Sequence, residues 1–261
     1  MSNGVEKFLD AAGKAVEIAP TIYEDALQDA TKESGQLLKL IPQTINAALV
    51  PLRQWIAHKE YNMAKTEKLL EHKLKNVDPK NIVSPEPYVA VPAIQSLSYA
   101  MNNEELRNLY ANLLAKSMNS ETKDNVHPSF SEIIKQLSPL DAKVFKIISE
   151  NEINPLISIS RYSKETDSTI SLAKNITLLN IADTLDISIS INNLERLNLI
   201  NIPWEACYKN TDLYKPFKNL DIYKNLENNF KSYPQYELVT FRQMIDKTDI
   251  GKLFYKICIQ D

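Results

Sequence analysis

Three histidines, two cysteines and a few neighbouring carboxylates are the residues of this chain whose types could do chemistry. His58, His72 and His127 each stand without a second ligand at the spacing a metal ion needs. No HExxH or paired CxxC pattern occurs, and the H-x-E string His58-Lys59-Glu60 has no CxxC to complete a site, so neither a zinc centre nor any cofactor is expected. A GxSxG elbow is also missing, and the chain's 4 glycines form no phosphate-cradling loop. His127 is the one polar residue singled out. With Ser129 two positions on, it could act as a general base or a binding group. Its plainer role is to close the start of the helix that carries Phe130. Cys258, set in the apolar run KICIQ, reads as a small buried hydrophobe. Glu104 with Glu105, and Asp246 with Asp249, could pair as acid and base. Nothing is placed to serve them, and they read as helix-end charges.

The element that must position His127 lies in Asn125 to Ser149, NVHPSFSEIIKQLSPLDAKVFKIIS. Pro128 suits a first helical position, and Phe130, Ile133, Ile134 and Leu137 follow at i, i+3, i+4 and i+7. Ser138-Pro139-Leu140-Asp141 then restarts the chain. Serine can cap there, proline takes the first turn, and aspartate at the third position completes a capping-box-like turn. Leu140, Val144, Ile147 and Ile148 are expected inside that second helix.

Composition is that of an ordinary globular chain of 261 residues, with 44% hydrophobic and 24% charged residues. Two cysteines are too few for a disulfide framework and fit a reducing cytoplasm. The opening residues lack an uninterrupted apolar core, so no signal peptide is expected, and no run is apolar enough to span a bilayer. Residues 1–77 read as an N-terminal helical module. Its first 34 residues carry seven acids against three lysines, whereas residues 39–75 carry six lysines and Arg53 against three glutamates. That basic part, with Leu49, Leu52, Trp55 and Ile56 on one face, reads either as one arm of a charge-matched hairpin or as a membrane-surface helix. Residues 78–92 hold four prolines and are expected to be an extended connector, not a helix. Amphipathic helices then fill residues 93–137.

Residues 138–261 mix elements. Strands are expected at Leu156 to Tyr162, Leu199 to Trp204 and Tyr236 to Ile245, with a second apolar run at Ile176 to Ile181. Helices are expected at Asp186 to Leu197, Phe217 to Phe230 and Thr248 to Ile259. Two helices followed by two strands as a wing resemble a winged helix. Fold class is therefore mainly α: a helical module and body, with a C-terminal winged-helix-like α+β unit. Its candidate recognition helix, DISISINNLERL, offers Arg196 beside Glu195, and the unit holds fifteen cations against sixteen acids. Phosphate binding needs several cations on one face, so nucleic acid is not the expected partner.

Several of these strings together resemble the Abi-alpha (abortive infection alpha) domain family, a bacterial family of unknown function. They are YANLLAKSM, the VHPSF after a polar loop, IIKQLSPLDAKVF, the proline-flanked PEPYVAVPAI, and Asn193-Leu194-Glu195-Arg196-Leu197 followed by Leu199-Ile200. The likeness covers about residues 80 to 260. One departure is Asn198, where a glycine is expected at a helix C-terminal turn; asparagine is the usual substitute. The resemblance implies phage defence by abortive infection or a related prophage-borne role, and brings no agreed catalytic residues. His127, Pro128, Phe130, Asn193 and Arg196 are the candidate interaction or motif residues. The expected protein is a non-enzymatic cytoplasmic defence factor that binds a phage or host protein, or a second copy of itself. A DNA-binding prophage regulator, and a membrane-active effector using residues 35–57, are the alternatives.

Overall fold

The computed structural model describes residues 46–47, 63–100 and 102–260. The expected helices before Met63, including the apolar stripe of residues 35–57, fall almost entirely outside the described residues. The chain is mainly α and divides into two compact units, with the break between Gln136 and Leu137 and a return to the first unit at Ile257.

The first unit is helical. Helix α1, Met63–Leu74, keeps a narrow seam: Thr66, Leu70 and Leu74, four residues apart, are buried. The chain then turns through a 3-10 segment, Pro79–Asn81, whose start is capped by the Asp78 side chain accepting from the Lys80 amide. Helix α2, Pro87–Ala100, corrects the expectation of an extended connector through residue 92. Pro87 sits at the helix start, where its missing N–H is no loss. Pro92 forfeits one backbone bond at about 3 kcal/mol. Burying Val89, Ile94 and Leu97 at roughly 1.5–3 kcal/mol each outweighs that. Of the expected connector, only Asp78 and residues 82–86 lie outside a helix, with Ile82 extended and bridging Asn119.

Helix α3, Glu104–Ser117, is capped by Asn103 and carries both glutamates in its first turn. It packs against α1, against α2 and against the short α4, Ser129–Lys135. Phe130 and Ile134 are fully enclosed there.

The second unit opens with α5, Pro139–Glu150. Its buried face is Ala142, Val144, Phe145 and Ile148, with Leu140 and Ile147 only half-buried, so Phe145 takes the place expected of Leu140. Strands β1 (Pro155–Ser163), β2 (Ser168–Thr177) and β4 (Tyr236–Met244) form an antiparallel sheet in the order β2-β1-β4. Strand β2 corrects the expected run Ile176 to Ile181. Its polar first half is drawn into the sheet by the hairpin at residues 164–167, where Asp167 has φ 50°. Bulges near Ser158 and between Ile159 and Ser160 interrupt the pairing.

Helix α6, Thr184–Arg196, packs on α5 and β2. It ends in a Schellman turn: Leu199 donates to Leu194 at 3.0 Å, Asn198 donates to Glu195 at 2.8 Å, and Asn198 has φ 56°. The remaining strands are two residues each, β3 (Ile200–Asn201) pairing with β5 (Asp246–Lys247). The Tyr236 strand therefore does not pair with the Leu199 run as a simple two-stranded wing; it pairs along its whole length with β1.

Between β3 and β4 a 3-10 segment (Thr211–Asn219) and α7 (Asp221–Phe230) build a small core with the sheet. Tyr214, Phe217 and Tyr223 pack there with Ile157, Ile159 and Ile176.

The expected closing helix is shorter. Helix α8, Asp249–Phe254, passes into a π-turn over Tyr255–Ile259. Gly251 is obligatory in it, because a Cβ there would overlap the Leu199 carbonyl. Among the described residues no helix is long and apolar enough to cross a membrane.

Candidate functional site

In the first unit, His127 and Ser129 do meet. His127 Nδ1 lies 2.7 Å from Ser129 Oγ and accepts the Ser129 backbone N–H at 3.2 Å. An amide can only donate, so Nδ1 is the acceptor, the imidazole proton sits on Nε2, and the Ser129 hydroxyl donates to the same Nδ1. Pro128 has φ −61° and ψ −27°, already helical, and Phe130 donates its amide to the His127 carbonyl at 3.1 Å. The imidazole also rests against the Phe130 ring, centroids 5.9 Å apart. All these bonds span two or three residues and satisfy donors that a helix start leaves without partners. Nucleophilic catalysis would need the base oriented by a third group and donors aimed at a developing oxyanion. Among the described residues no carboxylate takes the other ring nitrogen. The arrangement is that of a helix start.

The other two candidate residues lie in the second unit and touch each other. Arg196 Nε and Nη2 donate to Asn193 Oδ1 at 3.1 and 2.7 Å. Asn193 Nδ2 in turn donates to Asp141 Oδ2 at 2.9 Å. Asp141 is 4% exposed, and the same oxygen accepts the Ser138 amide at 2.7 Å while Ser138 Oγ accepts the Asp141 amide at 3.1 Å. The expected capping box is complete, and it carries one further bond from a residue 52 positions away. Two strings of the sequence, QLSPLDA and NLERL, are thus one hydrogen-bonded node that ties α5 to α6. Periodicity could not reveal that link; an amide on the motif helix and a capping carboxylate were its only signals.

Asn112 was also invisible to pattern reading, being one polar residue on the apolar face of α3. It is buried and donates through Nδ2 to the Cys258 carbonyl at 3.0 Å and, more weakly, to that of Ile259 at 3.4 Å. It thus holds the π-turn, where carbonyls lack ordinary helical partners. Cys258 is enclosed, and burial pushes its thiol well above the usual range, so it is a poor nucleophile. Burial also raises the Tyr110 phenol, against a lowering hydrogen bond with Ser96. Among the described residues no three His, Cys, Asp or Glu side chains are grouped to hold a metal ion. Glu104 and Glu105 occupy the first turn of α3, and Asp249 that of α8, where it pairs with Lys252 at 3.1 Å.

A family model described as abortive infection alpha matches residues 58–258. No curated protein matches. Among solved structures, an uncharacterized protein from the hydrocarbon-degrading marine bacterium Alcanivorax borkumensis SK2 is similar. The TM-score is 0.35 at 12% identity, over 50% of this chain and 92% of that one. A likeness of that size carries no argument.

Proposed function

We propose how a member of the abortive infection alpha family works here, for this chain belongs to that family over residues 58–258. The family implies a role in abortive infection, that is, in defence against phage. Our reading is that the chain acts by binding protein, without catalysis, inside the bacterial cytoplasm. Its partner would be a phage or host protein.

One observation carries the choice of protein over DNA. Helices α5 and α6 with the β3–β5 ribbon are the part that suits a winged-helix-like reading, and α6 would then be the recognition helix. Its solvent side presents Leu185 at 55% and Ile189 at 66% exposure, with Asp183 and Asp186 at its N-terminal end and Glu195 beside Arg196 at the other. A groove-binding helix needs cations for phosphate and polar side chains for base edges. Exposed leucine and isoleucine rimmed by acids suit a protein surface.

The test is expression in a susceptible host challenged with a panel of unrelated phages. Plaquing should fall for at least one phage, and Ile189→Lys should abolish the protection. Unchanged plaquing and host survival across the panel would sink the defence reading. Short duplexes at low salt should show no shift with the purified chain, and a salt-sensitive shift lost in Arg196→Ala would replace protein binding by DNA binding.

A further inference from the structure

The inward side of α6 is complete without its exposed residues. Ile187, Ile191 and Leu194 are buried at 1% or less and fill the space against α5 and β2. At about 100° per residue, Leu185, Ile189 and Arg196 fall on one narrow stripe facing the other way. Ile181, two residues before the capping Asp183, and Leu178, just after β2, are exposed as well. Two large apolar side chains one turn apart, Leu185 and Ile189, thus lie in water at the centre of the helix's solvent face, as on a surface available for contact.

Charge along the helix indicates what covers it. Acids stand at its N-terminal end, Asp183 and Asp186, and Arg196 stands on the exposed stripe in its last turn, with Glu195 about 100° round the helix from it. We propose that this face docks on the same face of a second copy, α6 against α6, antiparallel about a two-fold axis. Antiparallel docking lays the Arg196 stem of each copy over Leu185 of the other and brings its guanidinium to Asp186, with Ile189 of both copies near the axis. The helix dipoles then oppose, whereas a parallel pair would set acid against acid. Asn193 already holds the guanidinium through two nitrogens, so little side-chain freedom remains to be lost on docking. A contact built on one helix is small, and the dimer is accordingly weak, with a dissociation constant on the order of micromolar.

This rests on the reading of α6 as a protein-contact face, and the experiment separates the two. Sedimentation of the full chain from about 1 to about 200 µM should show its mass rising from one chain towards two. Ile189→Lys should remain a monomer at every concentration with an unchanged circular dichroism spectrum. Asp186→Arg alone and Arg196→Asp alone should each weaken the dimer at least about tenfold, and the two together should restore it to within about threefold. A wild-type chain that stays monomeric, or a dimer indifferent to Ile189→Lys, overturns the proposal; so does a double charge swap that fails to restore association. If a wild-type monomer still protects cells from phage, the second copy is overturned while the defence reading stands.

Discussion

Pro128 stands just before α4 and Pro139 opens α5, eleven residues apart in the chain, yet the two helix starts are closed in different ways. At α4, His127 reaches two residues ahead to Ser129, and the exposed imidazole is held by its own neighbours. At α5, Ser138 and Asp141 cap each other, and Asp141 then accepts from Asn193 on a different helix. A cap made only of neighbours stabilises one turn. The cap that also takes a tertiary bond becomes part of the packing between two helices, and its buried carboxylate accepts both bonds on Oδ2. The residue that looked most chemical, His127, therefore has the smaller structural reach, and the plain capping aspartate has the larger.

Substitutions can break this contrast in order of size. Asp141→Ala should cost the most, about 2–3 kcal/mol in urea unfolding, because it removes the acceptor shared by the part-buried Ser138 amide and the Asn193 side-chain nitrogen. Asn193→Ala should cost about 1–2 kcal/mol. A double-mutant cycle between the two should show a coupling of about 1 kcal/mol, and a coupling near zero would mean the node is not energetically real. His127→Ala should cost about 0.5–1 kcal/mol, the size of a local cap, and should leave phage protection unchanged. A larger loss, or lost protection in a folded protein, would give His127 a role beyond its helix.

The smallest effect concerns pH. Burial raises Tyr110 in the first unit, and Tyr214 and Tyr223 in the second, above the ordinary value of 10.0. A folded state that holds its phenol protons more tightly keeps their full contribution below that value and loses it as pH climbs past it through the raised values. Stability should thus fall at alkaline pH, and Tyr110→Phe should make the fall shallower, as followed by fluorescence-detected unfolding. A steeper fall in Tyr110→Phe would reverse the sign.

Much of the first unit was legible because its signals are local. The seam Leu70–Leu74, the stripe of α3 and the core face of α4 repeat at helical spacing, and packing only had to bury them. Prolines misled at α2, since a rule about the residue before proline weighs one backbone bond and cannot weigh Val89, Ile94 and Leu97 packed beneath it. In the second unit β2 was missed for a related reason. Ser168 to Ser171 holds a single apolar residue, Ile170, too little for an alternation of its own, and only pairing with β1 makes it a strand. Asn198 is the reverse case: one residue at the end of NLERL sufficed to place a left-handed turn, and φ 56° is found there.

By itself the sequence determined the helix starts at Ser138 and Thr248, the Schellman end at Asn198, the family and the poverty of cations along α6. These depend on hydrogen bonds within a few residues, or on residue type alone. Tertiary structure alone decided that Asp141 answers to Asn193, that Asn112 secures the π-turn, and that Gly251 must be glycine against the Leu199 carbonyl. Those depend on groups far apart in the chain being brought within bonding distance, and no spacing rule along a single chain encodes which distant partner a buried polar atom will find.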